Sequence, residues 1–143
     1  MTATMVVEQP QNSKYRMKYI PEENRFVETK AISLSFTRGY RGVCGWLDGY
    51  GRPPQPHLDA YLYTDRAYTQ GQAVGVKVIG CFIRADGDSK LVCIEPERPE
   101  NELFELPPEE VETIKRVYPR AGEGEGWFGR AMAVRLIHNF ALL

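Results

Sequence analysis

The chain has 143 residues, 43% hydrophobic and 11% aromatic, with 18 Lys and Arg against 19 Asp and Glu. That length suits one domain, residues 1–143, with an ordinary buried core. The near-neutral charge gives no drive toward nucleic acid or anionic membrane, and no run approaches the roughly 18 apolar residues of a membrane span.

The N-terminus shows neither a basic region nor a long apolar one, so no secretory signal is expected. Residues 4–8 and 14–20 are short β-prone runs, and 26–27 and 31–36 follow. In the last of these Ile32, Leu34 and Phe36 alternate with Ser33 and Ser35, the period of a half-buried strand. Residues 37–55 are rich in Gly and Pro and read as a long functional loop with a short strand at 43–46. Strands are predicted at 58–63, 75–83 and 91–94, the last two joined by the Ala85-Asp86-Gly87-Asp88 turn as a hairpin.

After Pro96 the periodicity changes. Pro107-Pro108-Glu109-Glu110 opens a helix, with Lys115, Arg116 and Arg120 toward its end, as the helix dipole favours. Val111, Ile114, Val117 and Tyr118 form its predicted core face. Residues 121–126 are a Gly-rich loop. A second helix is predicted over 127–140, with Phe128, Met132, Leu136 and Phe140 spaced by four. Short strands followed by helices give an α+β class, a small closed β-barrel with two flanking helices.

The chemistry concentrates in two places. Pro54-Gln55-Pro56-His57-Leu58-Asp59 runs into a strand, and thirty residues on comes Asp86-Gly87-Asp88-Ser89-Lys90. Asp59 is either a solvated strand-end carboxylate or a ligand for a hard cation, which prefers carboxylate oxygen. Asp88 and Lys90 sit at alternate positions, so one side can present a cation ligand and a phosphate contact together. His57 shares a side with Asp59; it is a hydrogen-bonded loop imidazole, a replacement ligand or a base. Arg38, Arg41 and Arg52 line the Gly-rich loop as solvated surface or as a rebuilt anion site. His138, among Leu136, Ile137 and Phe140, reads as structural, Trp46 and Trp127 as core or interface. Cys44, Cys81 and Cys93, odd in number and without Cys-x-x-Cys spacing, read as reduced, buried thiols of a cytoplasmic protein.

The order of these segments is more specific than any one of them. From Val6-Val7-Glu8-Gln9-Pro10 and Lys14-Tyr15-Arg16, through Gly39-Tyr40-Arg41-Gly42-Val43-Cys44-Gly45-Trp46 and the Asp59 segment, the chain continues to Lys77-Val78-Ile79-Gly80-Cys81, then Asp88-Ser89-Lys90-Leu91-Val92, Glu105-Leu106-Pro107 and Gly126-Trp127. This series resembles the soluble, Mg-dependent family I inorganic pyrophosphatases over residues 6–137. The resemblance implies metal ligation by Glu8, Asp59 and Asp88, with Asp86 near a further metal carboxylate. It implies phosphate contacts from Lys14, Tyr40 and Lys90, with Arg41 beside them, and a self-assembling subunit, hexameric as in the bacterial enzymes.

The departures are severe. The signature's first two aspartates are Pro54 and Pro56, and the family's proposed general base falls at Pro56. Arg16 stands in place of a Glu, Thr29 of a phosphate-binding Arg and Cys44 of a Tyr. Pro119-Arg120-Ala121-Gly122 aligns where the family carries a Tyr-Lys pair. Proline neither ligates through its side chain nor accepts a proton. Hydrolysis of a diphosphate needs several cations to neutralise charge and activate water. Asp59 and Asp88 alone are expected to hold Mg²⁺ weakly, and no catalytic residue is assigned. The leading expectation is a degenerate member that binds a phosphate-containing small ligand or a protein partner, in a regulatory or structural role. The alternative is a weak or altered Mg-dependent phosphohydrolase using Asp59, Asp86, Asp88 and Glu8 or His57.

Overall fold

A computed structural model describes residues 1–11, 13–33, 41–118 and 121–141. In chain order the strands are β1 (Thr2–Gln9), β2 (Tyr15–Ile20), β3 (Arg25–Ile32), β4 (Val43–Leu47), β5 (Asp59–Leu62), β6 (Ala73–Ile83), β7 (Lys90–Ile94) and β8 (Gly126–Gly129). The helices are α1 (Pro108–Lys115) and α2 (Arg130–Ala141). Strands β1, β4, β5, β7 and β6 pair in that order and β6 returns to β1, which closes a five-stranded barrel. Every barrel pairing is antiparallel except β5 with β7. The expected class, a small closed barrel with two helices, is what the chain forms.

Side-chain alternation sorts each strand between two clusters. Val7, Leu47, Leu62, Val76, Leu91 and Cys93 belong to one, and α2 adds Ala133 and Ile137 to it. Tyr61, Tyr63, Val92 and Ile94 belong to the other, covered by Val111 and Ile114 of α1. In β6 the register shifts between Val78 and Gly80. This bulge puts Val78 and Cys81 in the first cluster and Ile79 in the second, so the strand keeps both faces buried across the parity change. Asp59 and Lys90 begin β5 and β7 on the Tyr61 and Val92 side, so the parallel register places them side by side beyond the barrel interior.

A separate hairpin, β2 with β3, lies against β4. Tyr19 and Phe26 approach Trp46, with ring centroids 5.2 and 6.1 Å away. These three rings fix the hairpin beside the start of β5, because Trp46 is the register partner of Asp59.

Three sequence expectations are corrected. The strand sought over 31–36 is β3, which runs earlier and ends at Ile32; residues 34–36 lie outside the described residues. The second helix begins at Arg130, not 127. Trp127 and Phe128 are in β8, which pairs with β6 in the register Phe82↔Trp127. Glu102 decides the boundary. Its Oε2 accepts the Arg130 backbone N–H at 2.9 Å, and a Cβ on Gly129 would lie 1.9 Å from its Oε1. The helix therefore starts on that carboxylate, and a side chain at position 129 would push Glu102 off it. The buried α2 positions are Ala133 and Ile137, whereas Phe128 is 38% exposed. His138, read as structural, is exposed on α2.

Ile137→Ala is expected to cost about 2–5 kcal/mol in urea unfolding. Phe128→Ser, on the stripe that the sequence spacing favoured, should cost about 0.5 kcal/mol or less.

Candidate functional site

The loop before β5 folds back on itself. Gly51 has φ +78°, and a Cβ there would meet the Pro56 carbonyl oxygen at 2.0 Å. Only glycine permits that approach, which delivers His57 to the start of β5. Its Nε2 lies 2.8 Å from Asp59 Oδ1 and its Nδ1 lies 2.7 Å from the Gln55 carbonyl oxygen. The second oxygen of Asp59, Oδ2, accepts from the Lys90 ammonium in a short ion pair. Lys90 Nζ also stands 3.4 Å from Asp88 Oδ2. Arg84 completes the row, with contacts of 3.3 Å to both Asp86 and Asp88.

The tight turn carrying Asp86 and Asp88 is held locally. The Asp88 N–H donates to Asp86 Oδ1 at 2.9 Å, and the Arg84 N–H donates to Ser89 Oγ at 3.1 Å. Tyr118 covers the turn: its ring stacks on Phe82 at 4.5 Å, and the Arg84 guanidinium lies 5.2 Å from the ring centroid.

The electrostatics follow from partial burial. Burial opposes charge on Asp59, yet the hydrogen bond from His57 and the nearby Lys90 outweigh it and hold the carboxyl well below its ordinary value. Burial likewise opposes the Lys90 charge, and Asp59 more than offsets it, so the ammonium is strengthened. The hydrogen bond to Asp59 raises His57 above the ordinary imidazole value. Glu8 is pushed up by burial first and then by the Asp59 charge; Arg16 counters it in part. Burial also raises the Tyr118 hydroxyl, against the influence of Lys90 and Arg84.

The structure therefore gathers Glu8, His57, Asp59, Asp88 and Lys90 into one charged cluster at the starts of β5 and β7, beside the 84–90 turn. Asp86 faces Arg84 at its rim, 57% exposed. Lys14 is exposed, its ammonium 5.5 Å from the Tyr15 ring centroid. Tyr40 and Arg38 lie outside the described residues. The expected arginine cluster is not formed by its described members. Arg41 precedes β4 and pairs with Asp65 at 3.2 Å, whereas Arg52 follows β4 and lies 5.8 Å from the Tyr19 ring centroid. They stand at opposite ends of that strand. Two residues of the cleft escaped the sequence reading, Arg84 and Tyr118. Tyr118 passed for a core position of α1, but it lies beyond the helix end; only its three-dimensional proximity to Lys90 marks it.

A cavity of about 620 Å³ lies elsewhere. It opens at the far ends of β5 and β7, around Arg41, Thr64, Arg66, Glu95, Arg98 and Arg116. Five residues of strand separate Thr64 from Asp59, roughly 16 Å. Its arginines Arg41, Arg66 and Arg98 are already paired with Asp65, Glu97 and Glu110. The linked carboxylate, ammonium and imidazole groups lie at the Asp59 end, and we take that end as the candidate site.

No protein-family model matches the sequence, and no curated protein does. Solved structures do match. Inorganic pyrophosphatase from Ehrlichia chaffeensis superposes with a TM-score of 0.74 at 16% identity, over 96% of this chain and 92% of that one. The enzyme from Neisseria gonorrhoeae gives 0.72 at 20% identity, over 95% and 87%. That from Helicobacter pylori gives 0.73 at 14%, over 96% and 90%. The fold is that of the inorganic pyrophosphatases. At such identities the likeness concerns architecture, and the chemistry rests on the residues in the cleft.

Those residues do not fit a magnesium cluster. Mg²⁺ requires oxygen ligands at about 2.0–2.1 Å in near-octahedral array. Both Asp59 oxygens face N–H donors, and Arg84 and Lys90 hold Asp88. Among the described residues no three His, Cys, Asp or Glu side chains are arranged to hold an ion.

The His57 imidazole should titrate in NMR above its ordinary value of about 6.5, and Asp59→Asn should bring it back down. Because the folded value is raised, the His57 contribution to stability is present in full below about pH 6.5 and is lost as pH rises through the folded value. Thermal melts of wild type and His57→Gln should therefore converge at alkaline pH and separate at acid pH.

Proposed function

We propose that this chain uses the pyrophosphatase fold without its hydrolytic chemistry, as a binding or regulatory protein whose ligand-facing surface is the cleft around Asp59. The observation that carries this reading is the state of Asp59. A carboxylate with His57 on one oxygen and Lys90 on the other has both oxygens engaged by nitrogen donors of its own chain, so a bridging cation would have to compete with them. Water activation between two metals needs carboxylate oxygens open to the ions. The sequence resemblance adds that the general-base position is Pro56, and a lost general base alone typically costs 10²–10⁴ in rate. In keeping with the reading, Arg84, Lys90 and Tyr118 line one side of the cleft with groups suited to a phosphate-containing small ligand. Self-association, as the resemblance implies, belongs to the same proposal, as does a reducing cytoplasmic setting for the free thiols of Cys44, Cys81 and Cys93.

The test is phosphate release from pyrophosphate with Mg²⁺. The expected result is background release, unchanged by Asp59→Ala. Metal-dependent turnover that Asp59→Ala abolishes would overturn the proposal and favour a working phosphohydrolase. A thermal-shift series with pyrophosphate and nucleotides then seeks the ligand, since binding to the native state raises Tm by mass action.

A further inference from the structure

The Asp59 carboxylate is about one-fifth exposed. A charge so placed needs a counter-charge, because desolvation without one is costly. In this chain the counter-charges are side chains. Lys90 supplies one on Oδ2. His57 supplies a ring N–H to the other oxygen. Its Nδ1 faces a backbone carbonyl oxygen and its Nε2 faces the carboxylate, both of them acceptors. The site therefore favours a proton on each ring nitrogen, which makes the ring an imidazolium when both are in place.

We propose that Lys90 and His57 are resident counter-cations of Asp59 that exclude divalent metal from the cleft. The proposal deepens the functional reading above, and rests on it for the identity of the cleft. Three features converge on it. The parallel register pairs Asp59 with Lys90, so the β5–β7 ladder keeps the lysine stem beside the carboxylate. The Gly51 turn clamps the 51–57 loop over the carboxylate and delivers the ring. Asp88, the nearest further carboxylate on that side, is itself engaged by Lys90 and Arg84. An arriving cation would have to displace an ammonium and an imidazolium, and would meet their repulsion at contact distance. With both removed, the Asp59 oxygens face no competing nitrogen donor and stand beside Glu8, their electrostatic neighbour.

The probe is Mn²⁺ alone, followed by the EPR signal of the free ion. Wild type, Lys90→Gln, His57→Asn/Lys90→Gln and that double variant with Asp59→Asn are compared, each checked for folding by circular dichroism. The expected result is no saturable Mn²⁺ site in wild type, binding at least tenfold tighter in the double variant, an intermediate gain in Lys90→Gln, and loss of the gain with Asp59→Asn. Saturable binding by wild type that Asp59→Asn removes would overturn the proposal, whatever the variants do. So would a folded double variant, or a folded Lys90→Gln variant, that gains nothing. The two readings fail separately. Asp59-dependent Mn²⁺ binding without phosphate release sinks the counter-cation proposal and leaves the functional one standing. Metal-dependent phosphate release sinks the functional reading first.

Discussion

A partly buried carboxylate at the start of β5 organises this protein. Asp59 must be ionised to hold His57 and Lys90, and it must have them to be ionised where it is. The parallel β5–β7 ladder sets Lys90 beside it, the Gly51 turn sets His57 over it, and the aromatic contacts of Tyr19, Phe26 and Trp46 hold the hairpin that closes the cleft. Charge-assisted hydrogen bonds of this kind contribute about 1.5–3 kcal/mol each. The larger effect is the asymmetry: removing Asp59 takes from both His57 and Lys90 their shared partly buried counter-charge.

On the proposed reading, that arrangement is how a barrel with the pyrophosphatase architecture keeps the place of its site while changing its chemistry. A cluster of divalent ions gathers around carboxylate oxygen. Here the oxygens that remain are bonded to nitrogen from the same chain, and the charge balance closes internally. The barrel does not depend on the change. Its two hydrophobic clusters, one inside the strands and one beneath α1, are built from apolar side chains that include neither Asp59 nor Lys90.

Much of the fold was legible because period-two alternation is a local signal. Strands β4 to β7 fall near their sequence-based positions, since each carries β-branched or aromatic residues on alternating faces. The exceptions are non-local. Phe128 fits a helical spacing of four with Met132 and Leu136, but the cross-strand pairing of Trp127 to Phe82 and the Glu102 carboxylate, twenty-eight residues before Arg130, make the helix start at Arg130. At the site, Asp59, Asp88 and Lys90 were visible as residue types at strand ends. Their mutual neutralisation was not, because it depends on the β5–β7 register. Arg84 carried no motif, and Tyr118 looked like one more apolar position of α1. Arg41 and Arg52 looked clustered in sequence, yet the whole of β4 runs between them.

The most direct measurement is a crystal structure of the protein grown with Mn²⁺ and pyrophosphate, with anomalous scattering used to locate the ions. On this account His57 and Lys90 remain on the two Asp59 oxygens, and no anomalous peak lies within bonding distance of that carboxylate. Two Mn²⁺ ions bridged by a water beside Asp59 and Asp88, with Lys90 turned away, would contradict it.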